Sequence, residues 1–145
     1  KIFLIAIVWT FTTTILLVTE SNNSISSKLI PLLLDRFLFV LAITIPFDIR
    51  DLKFDKNEIK TMPMVFGVRG AKNIAFVCLF LSVLAVVYQY CYLDLSYRFL
   101  FSHALTCTIA FLFVTYSETS NKDFYFSFFV EGLSVILLLS YFLIP

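Results

Sequence analysis

Charged side chains are scarce in this sequence. Asp, Glu, Lys and Arg make up 14% of its 145 residues, against about 25% in an ordinary soluble domain. So few charges cannot clothe a water-exposed globule, whereas 60% hydrophobic and 18% aromatic residues suit a protein solvated by lipid. Cysteine is scarce as well. Cys78, Cys91 and Cys107 are scattered without a CxxC pair, so they read as small apolar helix residues rather than a disulfide framework or metal site. The formal net charge of +1 gives no argument for a nucleic-acid partner, and none is expected. There is no internal repeat and no low-complexity tract. The chain opens KIFLIAIVWT, without Met, and no small-residue cleavage site precedes the polar ESNNS stretch. The opening segment is therefore expected to belong to a longer protein rather than to be a signal peptide.

What the sequence has in abundance is long apolar runs. Five stand out, at 1–19, 29–47, 71–90, 98–117 and 125–144, each close to the roughly 20 residues that a membrane helix needs. None alternates with period two, and each is far longer than the roughly 9–11 residues of a barrel strand. The expected fold is all-α: a multi-pass transmembrane bundle of about five helices, with residues 1–145 forming one domain in a lipid bilayer. Three connections are short and polar, ESNNSISSK at 20–28, YLDLS at 92–96 and ETSNKDF at 118–124. Only 48–70 is long, and long connections in compact proteins tend to be functional.

Five spans put Lys1, the 48–70 connection with Lys72, and the 118–124 connection on one side. That side collects Lys1, Arg50, Lys53, Lys56, Lys60, Arg69, Lys72 and Lys122, while Lys28 and Arg98 are left on the other. Lysine and arginine mark the cytoplasmic face, so the 48–70 loop is expected in the cytoplasm, carrying a short helix. Its acids are as notable as its bases. Asp48, Asp51 and Asp55 are spaced three and four apart, which places them on one helical face. Uncompensated, three such carboxylates repel. A divalent cation relieves them, and Mg²⁺ takes one or two carboxylates together with waters and phosphate oxygens. Arg50, Lys53, Lys56, Lys60 and Arg69 supply partners for further phosphate oxygens. On spacing alone, a solvated helix laced by Asp–Lys contacts explains the pattern equally well.

The segment FDIRDLKFDKNEIKTMPMVFG resembles the second aspartate-rich motif of the UbiA superfamily of intramembrane prenyltransferases. The naphthoate-type branch carries Asn-x-x-Arg-Asp-x-x-x-Asp, then a basic turn and a Lys-Thr-apolar-Gly stretch. Arg50, Asp51, Asp55, Lys60, Thr61 and Gly67 fit in that order, with Asp48 where the branch often has Asn. The resemblance covers all 145 residues as the C-terminal part of a larger, usually nine-helix bundle. The family's first motif, Asn-x-x-x-Asp-x-x-x-Asp, has no counterpart in residues 1–44, where Glu20 and Asp35 are the only acids. By itself this stretch is therefore expected to be inactive. The resemblance implies Mg²⁺-dependent transfer of a prenyl group from a prenyl diphosphate to a hydrophobic, aromatic, quinone-precursor-like acceptor. It further implies Asp51 and Asp55 as catalytic metal ligands, Asp48 as an auxiliary carboxylate, and Arg50, Lys56 and Lys60 as diphosphate contacts. The implied location is a bacterial inner membrane.

Other polar residues lie within the apolar runs, where ionisable groups attract functional suspicion. Asp35 and Arg36 are about 20 Å from Asp48 along a helix, too far to share its ligand, and are expected to pair with each other or to have Arg36 snorkel outward. His103 is expected to make an interhelical hydrogen bond, and Trp9 to pack within the bundle. Glu131, about 10 Å along the last helix, is a candidate for a cavity opening on the motif side. Tyr88, Tyr90, Tyr92 and Tyr97 are placed for an interfacial aromatic belt. A rival of another class is a non-catalytic scaffold or transporter piece whose charged loop binds anionic lipid or a partner. It explains the lysines but not the spacing of the aspartates.

Overall fold

The computed structural model describes residues 1–15, 29–52, 60–119, 124–126 and 131–144. Within them the protein is all-helical, with five helices in a bundle and no strand. Helix α1 is Ile2–Thr10, prolonged by a π-helical turn at Phe11–Ile15; α2 is Leu29–Asp51, α3 Met62–Tyr92, α4 Tyr97–Tyr116 and α5 Glu131–Leu143. Helices α2, α3 and α4 are long and apolar enough to cross a membrane, while α1 with its π turn and α5 are shorter apolar helices. Large apolar side chains such as Leu4, Ile30, Phe80, Phe101, Leu138 and Leu143 point outward, as a lipid-solvated surface requires. This is an integral membrane protein.

The packed faces of α1, α3 and α4 collect small and polar side chains, while the large apolar ones face outward. Helix α1 buries Ile2, Ala6, Thr10 and Thr14, a strict four-residue repeat. Helix α4 does the same with Ser102, Thr106, Ala110 and Val114, while α3 buries Ala71, Ala75, Cys78, Leu79 and Ser82 at mixed three- and four-residue spacing. Lipid tails are as apolar as leucine, so helices associate where small residues let backbones approach and van der Waals contact build up. Helix α2 is the hub. It packs most extensively on α3 and also on α1 and α4, with α5 against α4. Trp9, expected in bundle packing, is 57% exposed instead, because it falls off the Ile2–Ala6–Thr10 stripe.

The helix boundaries correct the expected 48–70 loop. Helix α2 runs on to Asp51 and α3 begins at Met62, so Asp48 and Asp51 belong to the last turn of α2 and residues 62–70 to α3. What hid this helical extension is Gly67, whose left-handed φ of 71° kinks α3 after its first turn. An L-residue is strained in that conformation, so a glycine there allows Met62–Phe66 to lie against the bundle end while Val68–Tyr92 continues as the span. Pro63, in the first turn, has no N–H to leave unpaired. At the far end α3 passes to α4 through Asp94, held at φ 57°, and Ser96 caps α4 by accepting from the Arg98 backbone N–H at 3.3 Å. Tyr88, Tyr90, Tyr92 and Tyr97 all stand exposed at this end, with the Tyr88 and Tyr92 rings 5.0 Å apart.

Candidate functional site

The start of α1, the end of α2 and the start of α3 meet at one end of the bundle, and a charged cluster forms there. Asp51 closes α2 with both carboxylate oxygens engaged. Oδ1 accepts from Arg50 Nε at 2.8 Å and Oδ2 from Lys1 Nζ at 3.3 Å. The Arg50 guanidinium lies 5.3 Å over the Phe47 ring and 5.6 Å over Phe126, a cation–π cradle that fixes its direction. One turn earlier, Asp48 is only 2% exposed. It faces a cavity of about 100 Å³ shared with Lys1, Lys60, Thr61 and apolar residues that include Ile2 and Met62. The Thr61 hydroxyl is buried there without a hydrogen-bond partner, although Thr61 is the N-cap of α3 and its backbone carbonyl accepts from the Met64 and Val65 N–H groups. Lys72, farther along α3, donates to the Thr115 carbonyl at 2.7 Å, meeting a terminal carbonyl of α4 with positive charge.

Of the residues singled out from sequence, Asp48, Arg50, Asp51 and Lys60 are brought to this one end. Asp55 and Lys56 lie outside the described residues, as does the side chain of Glu131, whose backbone opens α5. Asp48 and Asp51 do not share one environment as their spacing suggested. Asp48 is enclosed, whereas Asp51 sits at the rim with its charge met by two cations. The compensation expected from a metal is supplied, for Asp51, by the protein's own Lys1 and Arg50. In sequence, Lys1 stands out only through the charge bias. The signal that locates it is the alternation of helix ends, which sets residue 1 beside residue 51. Phe47 and Phe126 carried no comparable signal, because eighteen phenylalanines are spread through the sequence.

Among the described residues no group of three or more His, Cys, Asp or Glu side chains is arranged to hold a metal ion. The donor chemistry at the charged end still suits Mg²⁺, which takes hard oxygen ligands and needs only one or two carboxylates when phosphates complete its shell. Asp48 and Asp51 are two carboxylates one helical turn apart. To ligate, Asp51 must exchange its contacts with Lys1 and Arg50.

A second polar cluster lies inside the membrane-spanning part, about 20 Å from Asp48 along α2. Ser82 on α3 donates to Asp35 Oδ1 at 2.8 Å. His103 Nε2, from α4, stands 2.8 Å from Ser82 Oγ, 3.2 Å from Asp35 Oδ1 and 3.3 Å from Cys107 Sγ. His103 thus makes the expected interhelical contact. Asp35 turns to it and to Ser82, while the neighbouring Arg36 places its guanidinium 5.5 Å over the Phe99 ring. The residue types are those of a nucleophilic triad, but the geometry is not. Such a relay needs serine on one imidazole nitrogen and aspartate on the other, whereas here both meet Nε2.

Compared with protein-family models, with curated proteins and with solved structures, the chain matches none of them.

Proposed function

We propose that the charged end of the bundle is the diphosphate-handling end of a UbiA-like prenyltransferase, acting on a prenyl diphosphate and a hydrophobic aromatic acceptor at the cytoplasmic face of a bacterial inner membrane. The observation that carries this reading is the enclosed carboxylate of Asp48, sharing a cavity with Lys1 and Lys60 beside the Arg50–Asp51 pair. A carboxylate drawn in among cations at a membrane surface is the chemistry that a metal-bound diphosphate needs: acids for the ion, bases for the remaining oxygens.

When bound, Mg²⁺ supplies charge neutralisation for the departing diphosphate. The side chains do the rest. Asp48, Asp51 and Asp55 are the carboxylates that would hold the ion. Lys1 and Arg50, already poised on Asp51, can shift to phosphate oxygens. Lys60 holds positive charge at the cavity wall, and the resemblance adds Lys56 as a further diphosphate contact. Phe47 and Phe126 restrain Arg50, so its guanidinium is directed before any anion arrives. Lipid-facing apolar surface adjoining this end offers room for an isoprenoid chain. The sequence carries only one aspartate-rich motif, and the enzyme reading therefore expects further metal ligands elsewhere in the working protein.

One observation favours the second reading, a non-catalytic protein whose basic end binds anionic lipid. Both Asp51 oxygens are satisfied by Lys1 and Arg50, as a purely structural interfacial ion pair would have them. Titration of a short-chain prenyl diphosphate into the whole working protein, carrying those further ligands, with and without Mg²⁺, separates the two. The enzyme reading expects binding that needs Mg²⁺ and is lost in Asp48→Asn. Binding to anionic vesicles that ignores Mg²⁺, with no prenyl diphosphate uptake, would establish the scaffold instead.

A further inference from the structure

We propose that the Asp35–Ser82–His103 cluster is a proton-binding site inside the bundle, holding one exchangeable proton on Asp35 and electrically neutral with that proton bound. The inference is independent of what the charged end does.

It begins with an inventory of hydrogens. Ser82 Oγ, His103 Nε2 and Asp35 Oδ1 form a triangle with edges of 2.8, 2.8 and 3.2 Å. An ionised carboxylate only accepts, a hydroxyl has one hydrogen, and a neutral imidazole carries one between its two nitrogens. With Asp35 ionised, the Ser82 hydrogen and one on Nε2 fill the triangle. The cluster then carries one full negative charge at a position where Asp35 is 0% and His103 2% exposed. Asp35 Oδ2 and His103 Nδ1 are both buried without a partner, so this charge lacks the full set of hydrogen bonds that could make it tolerable in a low dielectric.

The groups that face the cluster do not cancel the charge. Helix α3 contributes only the Ser82 hydroxyl, and α4 contributes His103 and the Cys107 thiol. From α2, Arg36 is the nearby cation among the described residues, and its guanidinium is directed over Phe99. One added proton brings the three groups to neutrality. Placing it on His103 would create an imidazolium–carboxylate pair whose unpartnered Nδ1–H and Oδ2 are then both charged groups, each costly to desolvate. Placing it on Asp35 leaves the same two atoms unpartnered but uncharged, at the smaller cost of a neutral polar group. The neutral carboxylic acid is therefore the form that the packed helices hold. Asp35 lies about 9 Å along α2 from Leu29, nearer to the end where α3 turns into α4 than to the charged cluster. Its uptake is a transfer from water, with no redox step.

Infrared spectroscopy of the protein in lipid vesicles reads this directly. At about pH 6, an aspartate with the ordinary value of about 3.9 is over 99% ionised. The wild type is expected to show a carboxylic-acid carbonyl band that moves in D₂O and is missing from Asp35→Asn. Ser82→Ala keeps the carboxyl group but removes its donor, and is expected to shift the band without abolishing it. Should Asp35→Asn not fold, aspartate labelled with heavy carbon replaces it. A band that moves both with the label and with Ser82→Ala supports the site. A spectrum identical between wild type and Asp35→Asn, or a label-sensitive band indifferent to Ser82→Ala, overturns it.

Discussion

Asp35 and Asp51 stand on the same helix, and the bundle treats them in opposite ways. Asp51 ends α2 at the rim, where two cations take its two oxygens and solvent reaches the pair. Asp35, about 24 Å lower on the same helix, has neutral partners, Ser82 and His103, and no exposure. The first is arranged to exchange partners: its contacts are ionic, half-open and replaceable by other charges. The second is arranged to keep them, because in lipid the alternative for a polar side chain is no partner at all. One aspartate is therefore open to exchange and the other a bolt between three helices.

The sharpest way to break this comparison is to neutralise both carboxylates and ask what fails. If the charged end handles a diphosphate as proposed, Asp51→Asn is expected to cost on the order of 10²–10³ in kcat, the loss seen on removing one preorganised electrostatic stabiliser, with little change in folding. Asp48→Asn is expected to match it. Asp35→Asn, remote from the diphosphate, should leave the Mg²⁺ dependence of turnover unchanged. Equal Mg²⁺ titrations and rates for Asp51→Asn, Asp48→Asn and wild type would remove the metal-ligand assignment.

Stability is expected to reverse the ranking. His103→Leu strips Asp35 and Ser82 of a shared partner in a dry site, and should lower resistance to unfolding in detergent by roughly 1–2 kcal/mol. Steady-state unfolding in mixed micelles measures it, and an unchanged midpoint would mean that the α2–α3–α4 contact does not depend on this cluster. A comparable loss, about 1–2 kcal/mol, is expected for Gly67→Ala. Nothing lies within 4 Å of the added Cβ, so the whole effect must come from the backbone, whose φ of 71° and ψ of 165° only glycine adopts readily, and Gly67→Asn should recover none of it. The smallest effect belongs to the rim. Lys1→Met removes a half-exposed ion pair and should change stability by less than about 1 kcal/mol, with any effect shrinking as salt is added. A larger, salt-insensitive loss would make the rim pair a structural bolt after all.

Much of this architecture is legible from residue order. Long apolar runs, short polar connections and the absence of period-two alternation determine a helical membrane protein, since backbone groups in lipid must be satisfied within the segment. Charge bias along the chain likewise gathers Lys1, Arg50 and Lys60 at one end. The faces were harder to read. Helices apolar all round give no amphipathic signal, and the buried stripes emerge from small residues at four-residue spacing, which is why Trp9 was placed inward and stands outward. The start of helix α3 is hidden because Gly67 and Arg69, just past its first turn, make the stretch read as loop.

Sequence alone determined the material of this protein: helices, lipid as solvent, and an acid-rich, base-rich segment at the border. Only the tertiary structure decided the partnerships. Asp35 adjoins Arg36 in sequence, yet its side chain meets Ser82 and His103, because helix packing chooses neighbours in space by which small residues admit a close approach. Asp48 and Asp51 sit one turn apart, yet one is enclosed and the other is held by Lys1, 50 residues away in sequence. Sequence spacing fixes which residues share a helical face, but the neighbouring helix decides whether that face meets a cation, a hydroxyl or lipid.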